Sequence, residues 1–159
     1  MAESISAETT LARLRGFLLA LLLFEMLATG AELVLVEHYE DPWQWAPLAL
    51  LACGLMVLGW QAIAPGKASV RATQGLMMLF LLSGVAGTAL HWKGKMEFKK
   101  ESSPSLSGFQ LWRESLHTQT PPALAPGVMT QMGLLGLLCV YRHPALGKNQ
   151  NDSSSLQGE

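Results

Sequence analysis

Two glutamates, Glu25 and Glu32, stand inside the first long apolar run of the sequence, Leu14 to Val36, which reads LRGFLLALLLFEMLATGAELVLV. Glu32 follows Glu25 by seven residues, nearly two turns of an α-helix, so both carboxyls project from one helical face. An ionisable group in hydrocarbon is costly and marks a pathway, a proton relay or a buried polar contact. Depth bookkeeping at about 1.5 Å per residue from the middle of each apolar run puts Glu25 level with Ser83 and within a turn of Gln131. The same count puts Glu32 level with Thr88 and within a turn of His91. A Glu32–His91 contact would couple two titratable groups near neutral pH, as a proton relay requires. The alternative is a protonated Glu25 hydrogen-bonded to Ser83 or Gln131, holding helices together with no transport.

A second constellation joins His38, just after the first apolar run, with His91, at the end of the third. Both are expected at similar depth, with Glu37, Glu40, Asp41, Glu97 and Glu101 nearby in sequence. Two histidines from different helices can ligate haem iron, and histidines with carboxylates can hold a transition metal. The sequence carries no close ligand spacing such as HxxxH or CxxCH, so no cofactor is predicted, and haem or a metal at His38 and His91 stays a minor reading. No phosphate loop, nucleophile elbow or zinc-protease helix is present, and the chain is not read as an enzyme.

These residues need a membrane to position them. Half of the residues are hydrophobic and only 14% are charged, against roughly 25% in ordinary soluble domains. Four apolar stretches, Leu14 to Val36, Ala46 to Ala64, Ala72 to His91 and Leu124 to Tyr141, each approach the ~20 residues needed to cross ~30 Å of hydrocarbon. The fold class expected is all-α, an integral-membrane four-helix bundle in one domain over residues 1–142. The first stretch is read as a retained helix and not a signal peptide, because it carries Glu25 and runs past Gly30 to Val36.

Basic residues set the orientation. With the N-terminus in the cytoplasm, Arg13, Arg15, Lys67, Arg71, Arg142 and Lys148 fall inside, and Lys93, Lys95, Lys99, Lys100 and Arg113 fall outside. The first outer loop, Glu37 to Trp45, has no Lys or Arg, and the first helix usually dominates topology. Both termini are therefore expected in the cytoplasm, in a bacterial inner membrane. Trp43, Trp45 and Trp92 would mark the outer interface, and Trp60 and Tyr141 the inner one.

The third connection, Trp92 to Pro122, is too long for a turn. Ser107 and Gln110 have the spacing of a capping box, and Phe109, Trp112 and Leu116 recur on one helical face, so a short amphipathic helix over 107–117 is expected on the outer membrane surface. The alternatives are that it lids the bundle or offers a partner-binding surface. Pro121, Pro122 and Pro126 would stiffen the return. The tail 143–159 is polar and reads as disordered.

Small residues locate the helix contacts, because lipid supplies no hydrophobic drive between helices. They are Ser83, Gly84, Gly87 and Thr88 on the third helix, Gly133 and Gly136 on the fourth, and Cys53, Gly54 and Gly59 on the second. Ala28 and Thr29 lie between the two glutamates, which predicts that the glutamate face points into the bundle. Cys53 near mid-membrane and Cys139 in the inner leaflet are offset by ~10 Å, too far for a disulfide. The formal net charge of −1 and an outward-facing lysine cluster exclude nucleic-acid binding.

A glutamate in the middle of the first helix, followed by the E-x-x-x-x-G run of Glu25 to Gly30, is similar to the first helix of the small multidrug-resistance transporters. The resemblance covers that run alone, since those transporters are shorter and have tight loops. It is an analogy and implies no membership. Three functions follow from these residues, in order. The first is a non-enzymatic accessory, assembly or interaction protein that meets a membrane-protein partner or a second copy in the lipid bilayer. The second is a proton- or cation-coupled small-solute carrier using Glu25 and Glu32. The third is a small haem- or metal-binding membrane protein using His38 and His91.

Overall fold

Apolar runs end where lipid ends, but helices end where the backbone is stopped. This chain shows the difference. The structure, a computed structural model, describes residues 2–117 and 125–147, with side chains described from residue 7 onward. Helix α1 covers Ala2–Leu35, so it starts well before the apolar run expected at Leu14. Residues 2–13 contain neither proline nor glycine, and nothing in them interrupts the ladder. A 3-10 turn at Pro42–Gln44 leads into α2, Trp45–Ile63, whose Pro47 sits in the first turn, where proline is tolerated.

Helix α3, Lys67–Ser102, corrects the expected boundaries most strongly. The third apolar stretch ends at His91, yet the helix runs on through Lys93, Lys95, Lys99 and Lys100 until Ser103 and Pro104 stop it. Hydropathy delimits the membrane part of this helix, not the helix. Its 36 residues span about 54 Å at 1.5 Å per residue, well beyond ~30 Å of hydrocarbon. The connection expected as an outer loop from Trp92 is therefore helical for its first third. Helix α4, Gly108–Leu116, lies within the interval expected, with Ser107 at its N-cap, but the Ser107 side chain makes no capping hydrogen bond. Helix α5, Gly127–Cys139, is shorter than the expected 124–141. Leu124 lies outside the described residues, as do Pro121, Pro122 and all of the tail after Gly147. At 13 residues α5 is about 20 Å long, less than the hydrocarbon thickness.

Helix α3 is the centre of the packing, touching α2, α4 and α5, while α1 lies against α2 and α5. The core is made by Leu22 and Met26 of α1, Leu51 and Leu58 of α2, Met77 and Phe80 of α3, and Met129 and Met132 of α5. Glycines set the closest approaches. A Cβ at Gly84 would fall 2.5 Å from the Thr130 backbone nitrogen and 3.0 Å from the Pro126 carbonyl oxygen. One at Gly133 would fall 2.8 Å from the Met77 carbonyl oxygen and 2.9 Å from the Leu81 nitrogen, so α3 and α5 are in backbone contact. Gly136 and Gly54 make room for the side chains of Met77 and Met26 in the same way.

Large apolar side chains face outward on every long helix, among them Phe17, Phe24, Leu35, Ile63, Val85 and Leu90. Such a continuous apolar exterior needs an apolar solvent. Three helices are each long and apolar enough to cross a membrane, and the described residues contain no strand. The molecule is an all-helical chain built as a membrane protein requires.

Candidate functional site

On α1 the buried face is defined by Leu22 and Met26, with Thr29, Gly30 and Leu33 half-buried above them. Glu25 lies at the flank of that face and is half-buried, whereas Ala28 and Glu32 are exposed. The expectation that the glutamate stripe points into the bundle is corrected here. The seven-residue spacing does keep the two carboxyls together, but on the edge of α1 and not against its neighbours. Among the described residues neither carboxyl has a hydrogen-bond or ion-pair partner.

None of the partners expected for them bonds to either carboxyl. Thr88 Oγ1 donates to the Gly84 carbonyl oxygen at 2.8 Å, back along its own helix. Ser83 is half-buried on α3, and Gln131 of α5 is exposed. The core at the depth of Glu25 is filled by Met26, Met77, Phe80 and Met132. No bond joins Glu32, which is exposed on α1, to His91.

The structure does bring together the two histidines. The ring centroids of His38 and His91 are 6.3 Å apart, with the planes tilted by 44°. The end of α1 explains why. His38 N–H donates to the Leu33 carbonyl oxygen at 2.8 Å and Glu37 N–H to that of Val34 at 3.1 Å, the paired bonds of a left-handed helix cap. The residue that takes the left-handed conformation is Glu37, at φ 54°, where glycine is usual. This cap turns the chain sharply after α1, and the half-buried His38 comes to rest beside His91 on α3. No group of three or more His, Cys, Asp or Glu suited to a metal ion occurs among the described residues. The pair therefore offers two imidazoles and no third protein ligand there. His117 and His143 stand apart from it.

At the other end of the molecule Arg15 of α1 closes α5. Its Nη2 donates to the carbonyl oxygens of Tyr141 at 3.0 Å and Arg142 at 3.1 Å, in the turn just beyond the C-cap Val140 of α5. Cys139 Sγ, buried, lies 3.5 Å from the Arg15 carbonyl oxygen, and both cysteines are free thiols. Burial, and then the positive charge of Arg15, push the His143 imidazole below its ordinary pKa. A buried pair links α2 to α3, where Thr73 Oγ1 donates to Gln61 Oε1 at 2.8 Å. Both contacts escaped the sequence reading. The second had a signal: Gln61 and Thr73 lie on either side of the Pro65–Gly66 turn, a connection short enough to bring the two helices it joins together as a hairpin.

Helix α4 docks on α3 through the buried Leu111 and Ser115, the latter donating to the Leu111 carbonyl oxygen at 2.7 Å. The stripe expected to face one way does so. Phe109, Trp112 and Leu116 are exposed, Phe109 stacks on Trp112 with centroids 5.6 Å apart, and Trp112 meets Trp92 at 6.0 Å. An open groove of about 340 Å³ lies between the end of α3 and α4, lined in part by Lys99, Gln110 and Arg113. Comparison of the chain with protein-family models, with curated proteins and with solved structures gives no match.

Proposed function

We propose that this chain is a multi-pass protein of the bacterial inner membrane, with both termini cytoplasmic, that acts as a non-enzymatic accessory or assembly component. Its contact surface is the Glu25–Ala28–Glu32 edge of α1, and its partner is another membrane protein or a second copy. One observation carries this reading: two carboxyls on the flank of a membrane-length helix, neither with a partner among the described residues. Polar groups at membrane depth pair with other polar groups, and such interhelical bonds are worth about 0.6–1.7 kcal/mol each. The exposed Ala28 between them lets a partner helix approach closely.

In this reading α5, with the residues flanking it, makes a fourth crossing and completes a four-helix bundle. Helix α4 lies at the outer interface with Phe109, Trp112 and Leu116 toward the lipid, while the basic end of α3 projects beyond it. A carrier built on Glu25, Glu32 and His91 is less well supported, because His91 stands against His38 and the relay lacks its second step.

Purification from the native host in gentle detergent tests the reading. A partner, or a defined homo-oligomer, is expected with the wild type and with Glu25→Gln/Glu32→Gln, which keeps hydrogen bonding. It is expected to be lost with Glu25→Leu/Glu32→Leu. A monomer in all three preparations overturns the proposal.

A further inference from the structure

We propose that His38 and His91 form a two-imidazole site for a copper ion, cuprous in its resting form, where the ends of the α1 and α3 membrane segments meet. The inference is independent of the α1 carboxylate edge and concerns a different face of the molecule. Its basis is the separation of the rings. A metal ion bound by imidazole nitrogens at about 2.0–2.1 Å, with each ring centroid about 1.1 Å behind its nitrogen, holds two opposed rings about 6.2 Å apart. The rings of His38 and His91 are 6.3 Å apart. Their 44° tilt is compatible with this, because each ring can turn about its metal–nitrogen axis without leaving the ion.

The pair is held by the backbone on both sides. His91 lies inside the continuous helix α3, and His38 is fixed by the two cap hydrogen bonds that follow α1. That cap places a non-glycine residue, Glu37, in the left-handed region. Backbone strain of this kind persists where surrounding structure enforces it and concentrates at functional positions. The exposed Glu37, Glu40 and Asp41 beside His38 add a negative field that favours cations.

Ligand number selects the metal. Zinc requires four ligands in a structural site and three protein ligands in a catalytic one. The described residues supply no such group. Imidazole suits copper, and the cuprous ion accepts two opposed nitrogen donors as a complete shell. Two imidazoles 6.3 Å apart, one on α3 and one just beyond the end of α1, supply two such donors.

The test is a cuprous-ion titration of the purified full-length protein in detergent under anaerobic, reducing conditions, in competition with bicinchoninate. A Cys53→Ser background removes the exposed thiol, a competing soft ligand. One copper per chain is expected, with His38→Asn and His91→Asn each lowering the affinity at least tenfold and His117→Asn leaving it unchanged. X-ray absorption of the loaded protein should show two nitrogen ligands. Absence of stoichiometric binding overturns the proposal, and so does binding that survives both changes. Should His91→Asn fail to give a monodisperse preparation, His38→Asn decides alone, since His38 lies beyond the end of α1 and outside the core.

Discussion

The guanidinium of Arg15 donates to the carbonyl oxygen of Tyr141 at 3.0 Å, across 126 positions of sequence, and thereby ties the N-terminal half of α1 to the chain just after α5. With the second bond to Arg142, this contact holds the turn that follows α5 against α1. Arg15→Ala should lower stability by about 0.5–1.5 kcal/mol, the usual net worth of a hydrogen bond. Thermal unfolding in detergent measures it. An unchanged midpoint would show that the lock contributes nothing.

The same corner should respond to pH through His143. Its Nδ1 accepts a hydrogen bond from Ala145 N–H at 3.2 Å, which requires the neutral imidazole. Burial and Arg15 depress its pKa in the folded state, so the unfolded chain binds the proton more readily. Stability from this group is therefore complete above the ordinary histidine range and declines as pH falls through about 6.5 toward the lower folded value. Unfolding followed between pH 5 and 8 should show that decline in the wild type and a flatter profile in His143→Asn.

Backbone contact between α3 and α5 predicts a strong asymmetry among glycines. Gly84→Ala forces a methyl group against the Thr130 nitrogen and the Pro126 carbonyl, neither of which is the end of a flexible side chain. The expected loss is about 1–3 kcal/mol. Gly75→Ala and Gly94→Ala, with nothing within 4 Å of the added atom, should be neutral or raise stability through helix propensity. Equal effects at all three sites would contradict the packing described.

How much of this was legible in the sequence varies from residue to residue. Gly84, Gly87, Gly133 and Gly136 could be named as contact points because close approach in lipid demands small residues, whatever the crossing angle. The meeting of His38 with His91 followed from counting depth along apolar runs. The fate of Glu25 and Glu32 did not, since seven-residue spacing fixes a shared face but says nothing of which neighbours that face meets. The reach of α3 to Ser102 was hidden because hydropathy reports solvent, while Pro104 reports the helix end. Arg15 looked like a topology charge, and only the position of α5 reveals its carbonyl partners.

Helix α4 should dip its aromatic stripe into lipid. In a variant that keeps Trp112 as its only tryptophan, with Trp43, Trp45, Trp60 and Trp92 replaced by phenylalanine, fluorescence in liposomes should be quenched by lipids brominated near the headgroup. Emission unaffected by brominated lipid would place the exposed Phe109–Trp112 stack in water or under a protein partner instead.

A photo-crosslinking amino acid at Ala28 tests directly whether the α1 edge is a protein contact. Ala28 is exposed and lies between Glu25 and Glu32 on the same edge. Irradiation in native membranes should give a discrete adduct with another membrane protein or a second copy, and Glu25→Leu/Glu32→Leu should abolish it. Lipid adducts alone, together with pH-dependent solute flux in proteoliposomes that Glu25→Gln removes, would contradict the account and establish a carrier.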